Sequence, residues 1–208
     1  MFLNLVGVWP TYKKEIKSAI KIALVEFPEI EQQIKTVKIG FLSDKRFATN
    51  TFYWKKALQH IIKLNVLAFS IPCIKKKFEI TRQSGISNMF SIQDIIFHEI
   101  GHIFYNNRLC KYYGLDLYNK KSNSFKLLKN INNNNTIQLQ LLTEIKQQFS
   151  ISEHDFIVKF GSYSLEPGEL VPECISNYLR LKNKCCLTNL DFEVLKISRY
   201  VIEYCKQL

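Results

Sequence analysis

His98-Glu99-Ile100-Gly101-His102 is the stretch that decides how this chain is read. On a helix, residues four apart stand one turn above each other on the same face, so both imidazoles can bind a single metal ion. The glutamate between them is placed to act as general base on a water that such an ion activates. That spacing points to metal-assisted hydrolysis. The flanking residues supply a helix to carry it. Ser91 and Asp94 have the spacing of a capping box, and Phe90 and Ile95 sit where a hydrophobic staple would close the first turn. A helix is therefore expected over residues 92–107. At about 100° per residue, Ile92, Ile96, Phe97, Ile100, Ile103 and Phe104 share one continuous arc. His98 and His102 fall on the other side, flanked by Asp94, Tyr105 and Asn106. The apolar face points one way and the histidines another, into a more polar space than a core histidine would occupy.

The His-Glu-x-x-His spacing is the zincin signature, and catalytic zinc normally takes three protein ligands and one water. Metzincins would add a Gly and then a His just downstream, but those positions hold Tyr105 and Arg108. The thermolysin-like continuation Asn-Glu-x-x-Ser-Asp is also absent. The other histidines, His60 and His154, read more simply as surface or capping-region residues, so a glutamate is favoured as the third ligand.

Composition sets bounds on everything else. At 208 residues the chain is expected to be one domain, 1–208, with room for a sizeable core. Nothing approaches the run of about 18 apolar residues that spans a membrane. The apolar N-terminus lacks a basic leader and meets Pro10 at once, so no signal peptide is read there. The expected location is the cytoplasm, or outside the cell after export without a cleavable signal. The cysteines are Cys73, Cys110, Cys174, Cys185, Cys186 and Cys205, none in a C-x-x-C pair, and they read as reduced thiols. The net charge of +11 comes from scattered groups such as Lys13-Lys14, Lys75-Lys76-Lys77 and Lys120-Lys121. With no recognition motif among them, no nucleic-acid partner is expected.

Along the chain, a helix is expected over residues 11–27 and a strand over 36–42, where Val37, Ile39 and Phe41 alternate. A second strand or turn fits 48–54, a short helix 55–62, another strand 64–70, and a polar connection 75–88. The low-complexity run Asn130-Ile131-Asn132-Asn133-Asn134-Asn135 reads as an exposed loop. Helical patterns resume from Ile137 to Phe149 and from Ser152 to Phe160, the latter closed by Gly161. The last helix opens with a Thr188–Asp191 capping box and carries Leu190, Val194, Ile197, Val201 and Cys205 as its stripe. The class is α+β: a small sheet, the His-Glu-x-x-His helix, then a helical C-terminal half.

Downstream lies Ser162-Tyr163-Ser164-Leu165-Glu166-Pro167-Gly168-Glu169-Leu170-Val171-Pro172-Glu173. Together with residues 98–102, this segment resembles the catalytic domain of lethal factor-type zinc metallopeptidases, which are zincins of the gluzincin type. The resemblance rests on these two motifs and their spacing. It implies a zincin-like fold and a zinc-dependent metallopeptidase, with a protein or peptide as substrate and a toxin or effector as one setting. It implies Zn2+ on His98, His102 and Glu169, Glu99 as general base, and Tyr163 as an aid to the tetrahedral intermediate. Glu173, one turn on, would be the second glutamate, bonded to a ligand histidine. Pro172 stands where the family has alanine. A proline is comfortable only in the first helical turn, which starts the helix near Leu170, leaves Glu169 at its edge and makes Glu173 the rival ligand. Glu144 is a more distant candidate. By the same analogy, the strand at 64–70 would be the edge on which substrate docks. The alternative is a catalytically silent zinc-binding regulatory protein of the same fold, which would have no need of Glu99 as a base.

Overall fold

The segment around Val37 forms a strand, residues 34–40 in place of the expected 36–42, in which Ile34 and Val37 are buried and Ile39 half-buried, while Phe41 lies beyond its end and is exposed. The computed structural model describes residues 1–43, 46–54, 57–70, 74–86, 88–117 and 123–208; Cys73, Lys120 and Lys121 lie outside them. The described residues form a mixed α+β arrangement with a small four-stranded sheet and 64% helix. Strands β1 (Phe2–Asn4), β2 (Ile34–Gly40) and β4 (Leu58–Asn65) run parallel, and β3 (Ala48–Trp54) is antiparallel to β4. Their order is β1-β2-β4-β3, so β3 forms one edge. Helix α1 (Pro10–Glu26) connects β1 to β2, with Pro10 in its first turn and Pro28 just beyond its end.

Two expectations on either side of β4 change. The helix expected over 55–62 and the strand over 64–70 are replaced by β4 itself, followed by a single helical turn, α2 (Val66–Phe69). The inward face of β4 is Leu58, His60, Ile62 and Leu64, all buried. A histidine in the second of these positions interrupts the apolar alternation that would announce a strand. Asn65 caps the turn that follows, accepting from the Leu67 N–H at 3.1 Å, which ends the strand before residue 70.

Helix α3 (Ile74–Gln83) occupies most of the expected polar connection; Ile74 and Phe78, four apart, are its buried pair. Helix α5 (Ser124–Asn134) runs through the asparagine tract read as a loop, held by Leu128, which is fully buried. It ends at Asn135, whose left-handed backbone (φ 56°) turns directly into α6 (Thr136–Gln148). Helices α7 (Glu153–Phe160) and α9 (Asn189–Gln207) form where expected, each with its serine- or threonine-led capping box.

The central element is α4 (Ile92–Tyr112), opened by the Ser91–Asp94 capping box. Its apolar arc packs on α1 and the segment that follows it, where the Phe104 and Phe27 rings lie 4.8 Å apart. Its polar side does not face solvent. Helix α8 (Leu170–Leu181) lies along it and is itself backed by α9, so His98, Glu99 and Asp94 are all buried.

Candidate metal centre

Glycine at position 101 is what lets α8 come this close. A methyl group there would stand 2.6 Å from the Pro172 α-carbon, well inside van der Waals contact. Gly101 thus lets two helix backbones touch, and Pro172 is the residue it touches. Helix α8 begins at Leu170, so Pro172 sits in its first turn, where a missing N–H costs nothing.

The approach to that helix is written in the sequence Glu166-Pro167-Gly168-Glu169. The Glu169 N–H donates to the Glu166 carbonyl at 3.1 Å, and Gly168 adopts φ 81°. This is a type II turn with proline and glycine in their usual places. It delivers Glu169 to the N-cap of α8, yet the Glu169 side chain makes no capping hydrogen bond. Gln138 of α6 takes over that task. Its buried amide accepts from the Leu170 N–H at 3.1 Å and donates to the Glu166 carbonyl at 2.8 Å. The carboxylate of Glu169 is thereby left for other work.

It meets both motif histidines. Glu169 Oε2 lies 3.0 Å from His98 Nε2 and 3.3 Å from His102 Nε2. The three ligand atoms of His98, His102 and Glu169 all lie within 4.8 Å of one another, an arrangement that could hold a metal ion. Ligand atoms bonded to one tetrahedral ion at about 2.0–2.2 Å stand about 3.3–3.6 Å apart, close to these separations. Glu169 Oε2 is buried and, despite its short distances, has no hydrogen-bond partner. The orphaned oxygen and the two nearby nitrogens fit a cation placed among them, and the two-nitrogen, one-oxygen set suits a borderline ion such as zinc. Without an ion, the imidazoles and the carboxylate perturb one another. Burial alone would raise the Glu169 carboxyl, but His102 and His98 hold it well below the usual range. Burial would lower His98, and Glu169 and Glu173 overcome it and raise the imidazole well above its ordinary value.

Glu173, the rival ligand, sits one turn further into α8. Its Oε1 lies 3.4 Å from His98 Nδ1, the nitrogen that faces away from Glu169. The geometry makes it a support for His98, and it is not part of the three-atom cluster. Glu144, on α6, instead accepts from the Tyr200 hydroxyl of α9 at 3.1 Å.

Glu99 is buried, one of its carboxylate oxygens has no hydrogen-bond partner, and burial raises its pKa. Tyr163 stacks its ring on His98, with centroids 6.0 Å apart. Its turn is pinned by two backbone bonds, Ser162 N–H to Gly85 and Tyr163 N–H to Ile86, each 2.9 Å. Burial, and the Glu169 carboxylate beside it, push the Tyr163 hydroxyl above its ordinary value. Tyr163 is exposed and His102 and Glu169 are half-buried, so the cluster is open to solvent on their side.

His154 is exposed on the first turn of α7. His60, in contrast, is fully buried, which corrects its reading as a surface or capping residue. Its Nδ1 lies 2.9 Å from Asn50 Oδ1, and the Asn50 amide donates to the Glu99 main-chain carbonyl at 3.0 Å. Because an amide oxygen can only accept, His60 carries its proton on Nδ1. Two strands are thus wired to the motif helix at Glu99. Neither Asn50 nor Gln138 stood out in the sequence, since each acts on a residue far along the chain. Comparison with protein families, with curated proteins and with solved structures found no match.

Proposed function

We infer that this chain is a zinc-dependent metallopeptidase that hydrolyses a peptide bond in a protein or peptide. Its ligands are His98, His102 and Glu169, its general base is Glu99, and Tyr163 is the donor to the carbonyl oxygen. The observation that carries this reading is the convergence of one carboxylate oxygen and two imidazole nitrogens at ligand spacing, beside the buried Glu99 carboxylate. The chain order of sheet, motif helix and glutamate-bearing helix is what a zincin-like fold of the lethal factor type would require.

A zinc ion held by these residues supplies Lewis acidity, polarising the scissile carbonyl and bringing the pKa of water towards about 7. The chain's own groups do the rest. Glu99, with its pKa raised by burial, takes a proton from the attacking water as the new C–O bond forms and the carbonyl electron pair moves onto oxygen. It then hands that proton to the amide nitrogen as the C–N bond breaks. Tyr163 keeps its proton across the working pH range and so remains a hydrogen-bond donor to the oxyanion, a contribution of about 3 kcal/mol. We assign the substrate edge to β3 in place of the expected 64–70, because among the described residues no strand pairs with its outer side and its Asn50 reaches Glu99.

The test has two arms. Purified protein reconstituted with zinc is expected to hold one ion per chain, and His98→Ala and His102→Ala are expected to lose it. New N-termini are then mapped in a proteome treated with wild type or with Glu99→Gln. Cleavage confined to the wild type supports the peptidase. Zinc without cleavage leaves the silent regulatory binder, and absence of zinc in a folded protein removes both.

A further inference from the structure

Three segments of chain leave the sheet at the same end. Strands β1, β2 and β4 are parallel, with Asn4 level with Lys38 and Gly40 level with Asn65, so the residues that follow each strand emerge together. Those residues carry large apolar side chains that the fold does not bury. Val6 after β1 is 78% exposed, Phe41 after β2 is 79% exposed and Leu67 after β4 is 49% exposed. Trp9, 39% exposed, joins them, because its N–H donates to the Phe69 carbonyl at 2.8 Å and ties the start of α1 to α2. Gly7, at φ 83°, turns the chain between Val6 and Trp9 and rests on Ile39, two residues before Phe41. Single exposed apolar residues are ordinary, but four gathered at one end of a sheet are a surface feature.

The surroundings are basic. Lys13 lies one turn along α1 from Trp9, with its N–H on the Trp9 carbonyl, and Lys14 follows it. The Lys63 side chain runs across Gly40 towards the same end, so close that a methyl group on Gly40 would meet its Cδ at 2.8 Å. None of these three lysines forms an ion pair with a described residue. Glu15 is the single acidic residue among the first 25.

We propose that this end of the sheet docks reversibly on an anionic lipid bilayer. Val6, Trp9, Phe41 and Leu67 enter the boundary between headgroups and acyl chains, and Lys13, Lys14 and Lys63 meet the lipid anions. Side chains as exposed as Val6 and Phe41 stand clear of the described residues around them, so those residues offer a folded partner no preformed shape there. A fluid boundary needs none. Tryptophan is at home at that depth, a ring of lysines is attracted by acidic headgroups, and the net charge of +11 draws the whole molecule towards a negative surface. Among the described residues no helix is long and apolar enough to cross a membrane, which fits attachment from one side.

Co-sedimentation with phosphatidylcholine vesicles, with and without about 30% phosphatidylserine, tests this at low and at physiological salt. Binding is expected only with phosphatidylserine, and to weaken as salt rises. The double variant Phe41→Ser/Leu67→Ser should bind at least about tenfold more weakly. Lys13→Gln and Lys14→Gln should each cost about fivefold. In Trp54→Phe protein, where Trp9 is the single tryptophan, emission should shift to the blue on binding. Phe192→Ser, an exposed aromatic on α9, is the control and should leave binding unchanged. No phosphatidylserine-dependent binding, or equal binding by the Phe41/Leu67 variant, overturns the proposal. So does concentration-dependent self-association that the Phe41/Leu67 variant abolishes without any lipid effect, since the apolar end would then serve a protein partner.

Discussion

At Glu169 a single oxygen atom lies within 3.3 Å of two imidazole nitrogens, whereas Glu173 reaches only the far nitrogen of one ring. The two carboxylates should therefore respond differently to the same substitution. Glu169→Gln is expected to abolish zinc binding or weaken it sharply, and Glu173→Gln to weaken it by about 10–100-fold, as loss of a group that only orients a ligand does. Competitive chelator titration reads both, and the reverse ranking would make Glu173 the ligand. Tyr163 differs again, because it is no ligand: its ring lies on His98, its hydroxyl lies beside the Glu169 carboxylate, and it keeps its proton. Tyr163→Phe should retain zinc yet turn over about 10–1000-fold more slowly, mainly in kcat. Single-turnover cleavage of any substrate found by N-terminal mapping decides it. At this scale the sequence was unequally legible. His98, Glu99 and His102 are read directly because helical spacing is local. Glu169 was reached through resemblance to a known motif pair, since nothing local marks an N-cap glutamate as a candidate ligand when the Leu170 N–H is capped by Gln138, 32 residues before Leu170.

Between elements, the decisive contact is that of α4 with α8 at Gly101 and Pro172. Gly101→Ala removes a helix-weakening glycine and would stabilise an isolated helix by up to about 1 kcal/mol. Here the added carbon meets backbone that cannot rotate away, so α8 must shift and carry Glu169 with it. We expect Gly101→Ala to lower the Tm and weaken zinc binding together, with overpacking of about 1–3 kcal/mol winning over propensity. Thermal melts with and without zinc measure both effects, and a more stable, zinc-competent variant would contradict the packing argument. The capping boxes of α4 and α9 were legible because two residues three positions apart suffice to write each. Strand β4 was not, since His60 takes an inward position in it and is hydrogen-bonded there, through Nδ1, to Asn50 of another strand. The asparagine tract misled for a related reason. Its composition favours a loop, but burial of Leu128 against the body of the protein outweighs weak helix propensity over α5.

For the molecule as a whole, stability should depend on both acid and metal. Burial pushes the His60 imidazole down to about 3, with His102 adding to the effect. Its unfolded value is about 6.5, so between these limits the unfolded chain binds more protons and stability rises with pH. The His60 contribution is complete above about pH 6.5 and is lost as pH falls towards 3. His98, raised in the metal-free protein, acts in the opposite sense, so the difference between wild type and His60→Gln isolates the effect. In chelator, the wild-type denaturation midpoint should fall more steeply between about pH 6.5 and 4 than that of the variant. Zinc at about 100 times its dissociation constant should add about 2.7 kcal/mol, or about 5–10 °C in Tm for a chain of this length, and chelation should remove it. Calorimetry that shows no shift would separate the cluster from the metal. The contact at Gly101 has one more consequence. Backbone against backbone cannot be compressed, and α1 and α9 back the two helices, so the spacing between His98, His102 and Glu169 is set by the main chain. On the proposed reading, an ion that prefers bonds of about 2.0–2.2 Å to few ligands would suit that spacing better than calcium, which prefers about 2.3–2.6 Å and six to eight oxygens. Discrimination between cations would then be a property of helix spacing, set by a residue that touches no ion at all.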